Sequence, residues 1–359
     1  MDSFVYQTYP NRVIFGSGTI NQLPLELNRL GLKRPIILCT PQQTEQVETL
    51  KKILDGIFAA VFAKVVMHTP VEVTEEALLI ARSTQADSVI SIGGGSTIGL
   101  GKAISIRTSL YHIAIATSYA GSEATPILGE TEHAEKKTRS DSRILPGTII
   151  YDVKLTLSLP RRMTAAIGIN AIAHAIEALY ARDNNPITSL HGLEGIRALA
   201  TSLPTLMEDP SSYAARSCAL YGAWLCGTCL ANVGMALHHK LCHALGGGIN
   251  LPHAETNAVI LPHALAFNAQ TIPETMERLA NVLPESNGDA IQGLNALLSK
   301  LDLDIGLREL GMLEHQIDEV ADSVVSKPYW NPRPIERATI RELLRRAWAG
   351  EGASGIELA

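Results

Sequence analysis

At 359 residues, with 46% hydrophobic and 18% charged residues, the chain exceeds one ordinary domain and can build two sizeable cores. A formal net charge of −6 argues against a nucleic-acid binder, whose binding face should be basic. No uncharged apolar run reaches the roughly 18 residues of a membrane span. The opening MDSFVYQTYPNRVIFG has no basic segment followed by an apolar one, so no export signal is read there and a cytoplasmic protein is expected. The five cysteines, Cys39, Cys218, Cys226, Cys229 and Cys242, fit reduced thiols. Cys226 and Cys229 form a CxxC inside the apolar run ALYGAWLCGTCLANVG, with no second pair, and read as small buried hydrophobes.

Along the chain, short β-branched runs first alternate with amphipathic stretches. Strands are expected at 12–15, 35–39, 60–66, 88–92, 112–116 and 148–152, and helices at 20–30, 44–56 and 74–84. This alternation predicts an α/β, Rossmann-like domain with a parallel sheet over residues 1–157. Run 88–92 is largely apolar, as a central parallel strand should be.

Strand 88–92 leads into Gly93, Gly94, Gly95, Ser96 and Thr97, then a helical pattern. Consecutive glycines let the main chain approach a phosphate, and a helix N-terminus behind them offers free N–H groups and a favourable dipole. The loop matches neither the G-x-G-x-x-G fingerprint nor a Walker loop, and a glycine turn can also simply pack strand on helix. Three glycines closing an apolar strand favour pyrophosphate binding. A second loop, Thr117-Ser118-Tyr119-Ala120-Gly121-Ser122-Glu123, follows strand 112–116. Thr117 and Ser118 are assigned to the cofactor, and Tyr119 and Ser122 to the substrate, although such residues also fill ordinary strand-to-helix turns. Both loops sit at the carboxyl ends of expected parallel strands, where open α/β sheets bind ligands. After strand 35–39, Thr40 stands where an acid would bond a ribose 2′-hydroxyl and repel a 2′-phosphate. Thr40 and Gln42 are assigned to a cofactor read as NADH, with some tolerance of NADPH.

Beyond residue 157 strand signals nearly vanish, and an all-α domain over 158–359 is expected, with helical segments at 161–182, 186–208 and 213–245. Asn170 and His174 lie four apart in GINAIAHAIEAL, as do His239 and His243 in HHKLCHALGGG. Residues four apart share a helix face. With His253 in the loop LPHAETN, this predicts an imidazole cluster from two helices and a loop, a common way to hold a divalent cation. Asn170 supplies only a neutral amide, which lowers the affinity for a cation that favours anionic oxygen. His68, His133 and His315 read as exposed, His112 as opening a strand, His191 and His263 as packing or capping residues, and His238 as one position off the cluster's face. The loop SKPYWNPRP breaks the helices, a last helix is expected at 334–348 with proline at its start, and the tail from 350 is expected to be mobile.

Taken together, GGGS at 93–96, TSYAGSE at 117–123, GINAIAHAIEAL at 168–179 and HHKLCHALGGGINLPHAETNAVILPH at 238–263 resemble the iron-containing, group III alcohol dehydrogenases, in order and in spacing. The resemblance covers nearly the whole chain. It implies a dehydroquinate synthase-like fold, with an N-terminal Rossmann-like lobe, an α-helical C-terminal lobe and an active site in the cleft between them. Motif for motif, the metal ligands of metal-dependent members fall on Asn170, His174, His239 and His253, and a further histidine linked to proton transfer falls on His243. Three features resemble one branch, the maleylacetate reductases: Asn170 in place of aspartate, the TYAGSE-like wording, in which Ser118 departs from threonine, and the NPRP stretch at 331–334.

Members of that branch reduce a carbon–carbon double bond of a dicarboxylate, with NADH or NADPH and no required metal, in aromatic-compound breakdown through hydroxyquinol- or chlorocatechol-type intermediates. The resemblance therefore implies a catalytic set of His243, His253, His174 and His239, with partly protonated imidazoles donating to an enolate oxygen. Asn170 would spare a dianionic substrate a repulsion, and Arg333 would pair with a carboxylate unless it is a surface loop residue. The family often dimerises through N-terminal strands, which makes 4–6 and 12–15 candidate pairing edges and a homodimer the expectation. The alternatives are a metal-dependent group III alcohol dehydrogenase with a degenerate ligand, and a metal-requiring sugar-phosphate lyase of the dehydroquinate-synthase type.

Overall fold

The computed structural model describes residues 3–133, 135–249, 251–326 and 329–354. Residues 355–359 of the tail and 327–328 of the SKPYWNPRP loop lie outside the described residues. The chain divides between Leu159 and Pro160: Gln7–Leu159 forms one unit, and the helices from Pro160 onward, with the N-terminal segment ending at Tyr6, form the other.

The first unit is built on six parallel strands: β1 (Arg12–Gly16), β2 (Pro35–Leu38), β3 (Ala60–Phe62), β4 (Ser88–Gly93), β5 (Tyr111–Ala116) and, two strands later, β8 (Thr148–Asp152). Their order is β1-β8-β5-β4-β2-β3, so β2, β4 and β5 lie side by side. The two faces follow the period of two that a strand imposes. Ile37 and Cys39 pack with Leu27, Val47 and Leu50 of helices α1 (Leu23–Leu30) and α2 (Thr44–Leu54). Ile36 and Leu38 pack with Leu78, Leu100 and Ile104 of helices α3 (Val71–Ser83) and α4 (Gly95–Thr108). Every residue of β4 is buried, as a strand covered on both faces requires.

Two details depart from the sequence reading. Strand β3 stops at Phe62, although Val65 N still donates to Cys39 O at 3.3 Å. An antiparallel hairpin, β6 (Ile127–Glu132) with β7 (Glu135–Ser140), fills a stretch where no strand is expected. Its wording, ILGETE and EKKTRS, lacks an apolar period, so nothing in it signals a strand. Charge pairs mark it instead: Glu130 meets Arg139 across the hairpin at 2.9 Å and Arg107 of α4 at 2.7 Å.

The second unit is helical: α5 (Arg161–Leu179), α6 (Pro186–Glu208), α7 (Tyr213–Asn232), α8 (Leu237–Gly248), α9 (His253–Asn268), α10 (Pro273–Val282), α11 (Ala290–Lys300), α12 (Gln316–Ser326) and α13 (Arg337–Ala349). Among the described residues no single helix is long and apolar enough to cross a membrane. Cys226 and Cys229 are fully buried on α7. A Cβ added at Gly195 of α6 would lie 2.7 Å from Cys226 Sγ, so small residues let these helices approach closely.

The expected segment 213–245 is two helices. Their axes bend by 97° between Asn232 and Leu237. Val233 is extended, with φ −140° and ψ 161°, and Gly234 N donates to the Asp183 carboxylate at 3.0 Å. Ala236 N and His238 N both donate to Glu177 of α5. The helical period runs through the break, so the turn is invisible to a pattern search; the buried carboxylate of Glu177 and the exposed one of Asp183 hold it. The last helix starts at Arg337 instead of 334, capped by an extended Glu336.

Candidate active site

In the first unit, the carboxyl ends of β2, β4 and β5 carry one set of candidates. Gly93 ends β4, Gly94 is the N-cap of α4 and Gly95 its first residue, and no side chain caps that N-terminus. A Cβ on Gly93 would lie 2.4 Å from Thr97 Oγ1 and 2.9 Å from Gln43 Oε1, and one on Gly94 3.1 Å from Ser118 Oγ. Only glycine fits where the hydroxyls of Thr97 and Ser118 close in. Thr97 Oγ1 is buried without a hydrogen-bond partner among the described residues, a polar atom set aside for a ligand. The open N–H groups of a 14-residue helix and this hydroxyl suit a phosphate.

Gln43 laces these loops together. Its Oε1 accepts from Thr40 N and Thr40 Oγ1, both at 3.2 Å, and its Nε2 donates to Thr117 Oγ1 at 3.3 Å. Thr117 N in turn donates to Gly93 O at 3.1 Å. Gln42, the residue assigned from sequence, is exposed and makes none of these bonds. The first turn after β2 is a short helical turn over Pro41–Gln43, which points the third residue back at Thr40. That capping arrangement, a threonine with a glutamine three residues on, was the available signal. Ser122 O accepts from the buried Lys102 ammonium, which also donates to Thr125 Oγ1 at 3.0 Å and Ile127 O at 2.8 Å. Ser122 Oγ has no partner among the described residues. Tyr119, expected to touch substrate, is instead a core side chain with no exposure.

In the second unit, α5 and α8 bring His174 and His239 together, with rings stacked 5.0 Å apart at 28°. Asn170, one turn before His174 on the same face, is half-buried. His243 lies one turn beyond His239 on α8 and is exposed. His253 is exposed too, and it is the first residue of α9 instead of part of a loop. A Cβ on Gly246 would lie 3.5 Å from its Nδ1. His238 is fully buried behind His239, with the two rings edge to face at 5.1 Å and its Nε2 3.0 Å from Asn257 O.

The residue that sequence reasoning missed is Glu177. It is fully buried on α5, three residues after His174 and seven after Asn170, a spacing that keeps all three on one face. That periodicity was the signal. Its Oε2 lies 2.6 Å from His239 Nδ1.

Burial makes the inner imidazoles poor bases. It holds His174 well below the usual histidine range, helped by any charge on His239, His238 or His253. It lowers His239 to about 3, with charge on His243 and His253 acting the same way, and His238 to about 4. His174 and His239 are therefore neutral at pH 7, and the expectation of partly protonated imidazoles fails for both. Burial pushes the Glu177 carboxyl up, opposed by charge on His238 and by the N–H donors around it.

Arg333 is not a surface loop residue. It is buried, its guanidinium sits 4.4 Å over the Phe267 ring, and its Nη1 donates to Phe267 O at 2.8 Å. Asn331 donates to Arg333 O and exchanges side-chain hydrogen bonds with Asn268 at 3.1 and 2.7 Å. The NPRP stretch is thus fastened to the end of α9. Arg333, Asn331 and Tyr329 line a cavity of about 230 Å³.

Comparison with known proteins decides the family. A sequence profile of iron-containing alcohol dehydrogenases matches residues 10–153, and one for the C-terminal part of the Fe-containing alcohol dehydrogenase family matches 164–348. The maleylacetate reductase of Rhizobium sp. (strain MTP-10005) is 49% identical over 350 residues, spanning 98% of this chain and 99% of that protein. That of Burkholderia cepacia is 48% identical over the same length and shares. The crystal structure of maleylacetate reductase from Agrobacterium tumefaciens matches with a TM-score of 0.95 at 48% identity, over 98% of this chain and all of that one. The chain belongs to the iron-containing alcohol dehydrogenase family, in its maleylacetate reductase branch.

The family's name implies iron, and the donors decide whether this chain suits it. Among the described residues, the grouping of potential ligands within 4.8 Å is Glu177, His238 and His239. Glu177 already accepts from Ala236 N, His238 N, His239 Nδ1 and Tyr180 OH, and His238 Nε2 faces a carbonyl. Glu177 offers no lone pair without breaking buried hydrogen bonds, and the bare Nδ1 of His238 is turned towards His239 Nδ1 at 3.5 Å. What remains is a set of neutral imidazoles and the Asn170 amide, with no anionic oxygen. Iron(II) favours such an oxygen, so these residues do not fit a resident iron.

Proposed function

We infer that the chain works as its relatives are named, as a maleylacetate reductase, taking hydride from a nicotinamide cofactor without a resident metal. Full-length identity of 49% to a reductase of that name carries the reading. The glycine cradle with the unpartnered Thr97 hydroxyl supports a dinucleotide held by its phosphates. Thr40 is uncharged and bonded to Gln43, which supports NADH with NADPH tolerated. The neutral donor set supports metal independence. A homodimer is part of the proposal, with Phe4 (45% exposed) and Val5 (94% exposed) offering a pairing edge, as are a cytoplasmic location and a place in aromatic-compound breakdown.

The reaction balances as follows. Hydride leaves C4 of the dihydronicotinamide for the alkene carbon β to the ketone. The π electrons move onto the ketone oxygen, and the resulting enolate takes a proton at the carbon α to the ketone, giving the saturated 3-oxoadipate and NAD⁺. The enolate oxygen needs a donor, and the exposure of His243 and His253, which lets them exchange protons with solvent, supports that role for them. His174 and His239, neutral and without a negative charge, let a dianion approach.

The test is loss of NADH absorbance with purified protein, maleylacetate and excess EDTA. Steady consumption is expected. No turnover with or without added metal overturns the substrate, and turnover that returns only with added iron or zinc overturns metal independence.

A further inference from the structure

Glu177 has a part that the reaction steps above do not use. A buried carboxylate costs several kcal/mol unless donors compensate it, and here they do so from both sides. Oε1 accepts from His238 N at 2.7 Å and Tyr180 OH at 3.3 Å, and Oε2 from Ala236 N at 3.0 Å and His239 Nδ1 at 2.6 Å. These donors are complementary to the ionised form. An ionised carboxylate only accepts, so the proton between Glu177 and His239 belongs to Nδ1. His239 Nε2 is left buried, with no hydrogen-bond partner among the described residues.

We propose that Glu177 is a positioning residue that fixes His239 in the Nδ1-protonated tautomer, so that His239 presents an acceptor, Nε2, to the reacting group instead of a donor. A carboxylate behind a histidine sets ring orientation and tautomer wherever the far nitrogen must act. The consequence for catalysis rests on the reductase reading, whereas the tautomer itself does not. His239 then cannot donate to the enolate oxygen, and its bare Nε2 can only accept a hydrogen bond from the reacting group or a water. Donation falls to the exposed histidines. The same carboxylate holds the bend at 236–238 that swings α8 back to α5, so one residue sets both where His239 lies and which of its nitrogens is free.

The chemistry singles out a carboxylate. Each oxygen receives one main-chain N–H, so the amide of a glutamine would turn its NH₂ against an N–H in either orientation. The deciding measurement is a long-range ¹H–¹⁵N correlation spectrum of the ligand-free full chain with labelled histidine, His239 being assigned by its loss in His239→Gln. A protonated Nδ1 and bare Nε2 are expected at neutral pH; a protonated Nε2 overturns the proposal. In Glu177→Gln the tautomer should shift, with kcat down ~10- to 100-fold and KM for NADH within about twofold. Glu177→Asp, which keeps the carboxylate, should recover part of both. An unchanged tautomer in a folded Glu177→Gln overturns the proposal, and if that variant does not fold, the wild-type spectrum still decides. The expected wild-type spectrum with no turnover of maleylacetate would remove the substrate and leave the positioning intact.

Discussion

The two candidate regions are built by different means. The cradle of the first unit is main chain and hydroxyl: glycines, an open helix N-terminus, Thr97 and Ser118, with Gln43 lacing the loops. None of those groups titrates near neutrality. The cluster of the second unit is made of side chains from α5, α8 and α9, most of them imidazoles, around one buried carboxylate. Main-chain sites tolerate changes of side chain and of pH, whereas side-chain sites depend on rotamer, tautomer and charge. Cofactor binding and chemistry should therefore fail separately.

The largest expected effect follows from that separation. His243→Ala should lower kcat on the order of 10²- to 10⁴-fold, the usual worth of a positioned proton donor, while NADH affinity by fluorescence titration stays put. Near-wild-type turnover would remove His243 from the mechanism, and a parallel loss of NADH binding would break the separation.

Acidification should distinguish the units next. An imidazole that is protonated in the unfolded chain near 6.5 but stays neutral in the fold until about 3 or 4 leaves the unfolded state holding more protons between those values. Stability then falls as pH falls through that window, by up to about 1.4 kcal/mol per pH unit for each such histidine. His238, His239 and His263, lowered by burial to about 4, 3 and 4, lie in the helical unit with the depressed His174. In the sheet unit His112, lowered by burial to about 3, acts the same way. The raised Glu177 carboxyl, and in the sheet unit the raised Glu123, oppose the trend from their ordinary value of 4.5 upward. All three tryptophans, Trp224, Trp330 and Trp348, belong to the helical unit. Tryptophan fluorescence should thus report acid unfolding at higher pH than a probe of the sheet, and coincident transitions would contradict the contrast.

The same contrast explains what could be read from the sequence. Strands β2, β4 and β5 and the glycine loop declare themselves because apolar runs and consecutive glycines specify main-chain geometry locally. His174 and His239 were legible as a pair through their spacing. That α8 turns back on α5 was not, because the helical period continues across 233–236 and the turn is set by Glu177 and Asp183, residues remote in sequence. The placing of Tyr119 and Gln42 was not legible for a related reason: loop wording names the residues present, while orientation follows from the turn, which buries Tyr119 and exposes Gln42. Arg333 looked like a loose carboxylate partner because a proline-flanked loop gives no hint that Phe267 and its carbonyl wait beneath it.

Two smaller effects sharpen the cradle's half of the comparison. Gly93→Ala places a methyl 2.4 Å from Thr97 Oγ1, which must shift, and should weaken NADH binding ~10-fold, about 1.4 kcal/mol, with kcat at saturation preserved. Gln43→Ala is the finer probe. Its amide touches Thr40 and Thr117 by bonds of 3.2 to 3.3 Å, long and half-exposed, so each contributes at the low end of the ~0.5–1.5 kcal/mol of a neutral hydrogen bond. Removing it leaves the glycines and the helix N-terminus in place, because Thr117 N still donates to Gly93 O. KM for NADH should rise ~3- to 10-fold and kcat should hold. A fall in kcat with KM unchanged would mean that this glutamine serves the reacting centre and not the cofactor's grip, and the division between a main-chain cradle and a side-chain cluster would have to be redrawn.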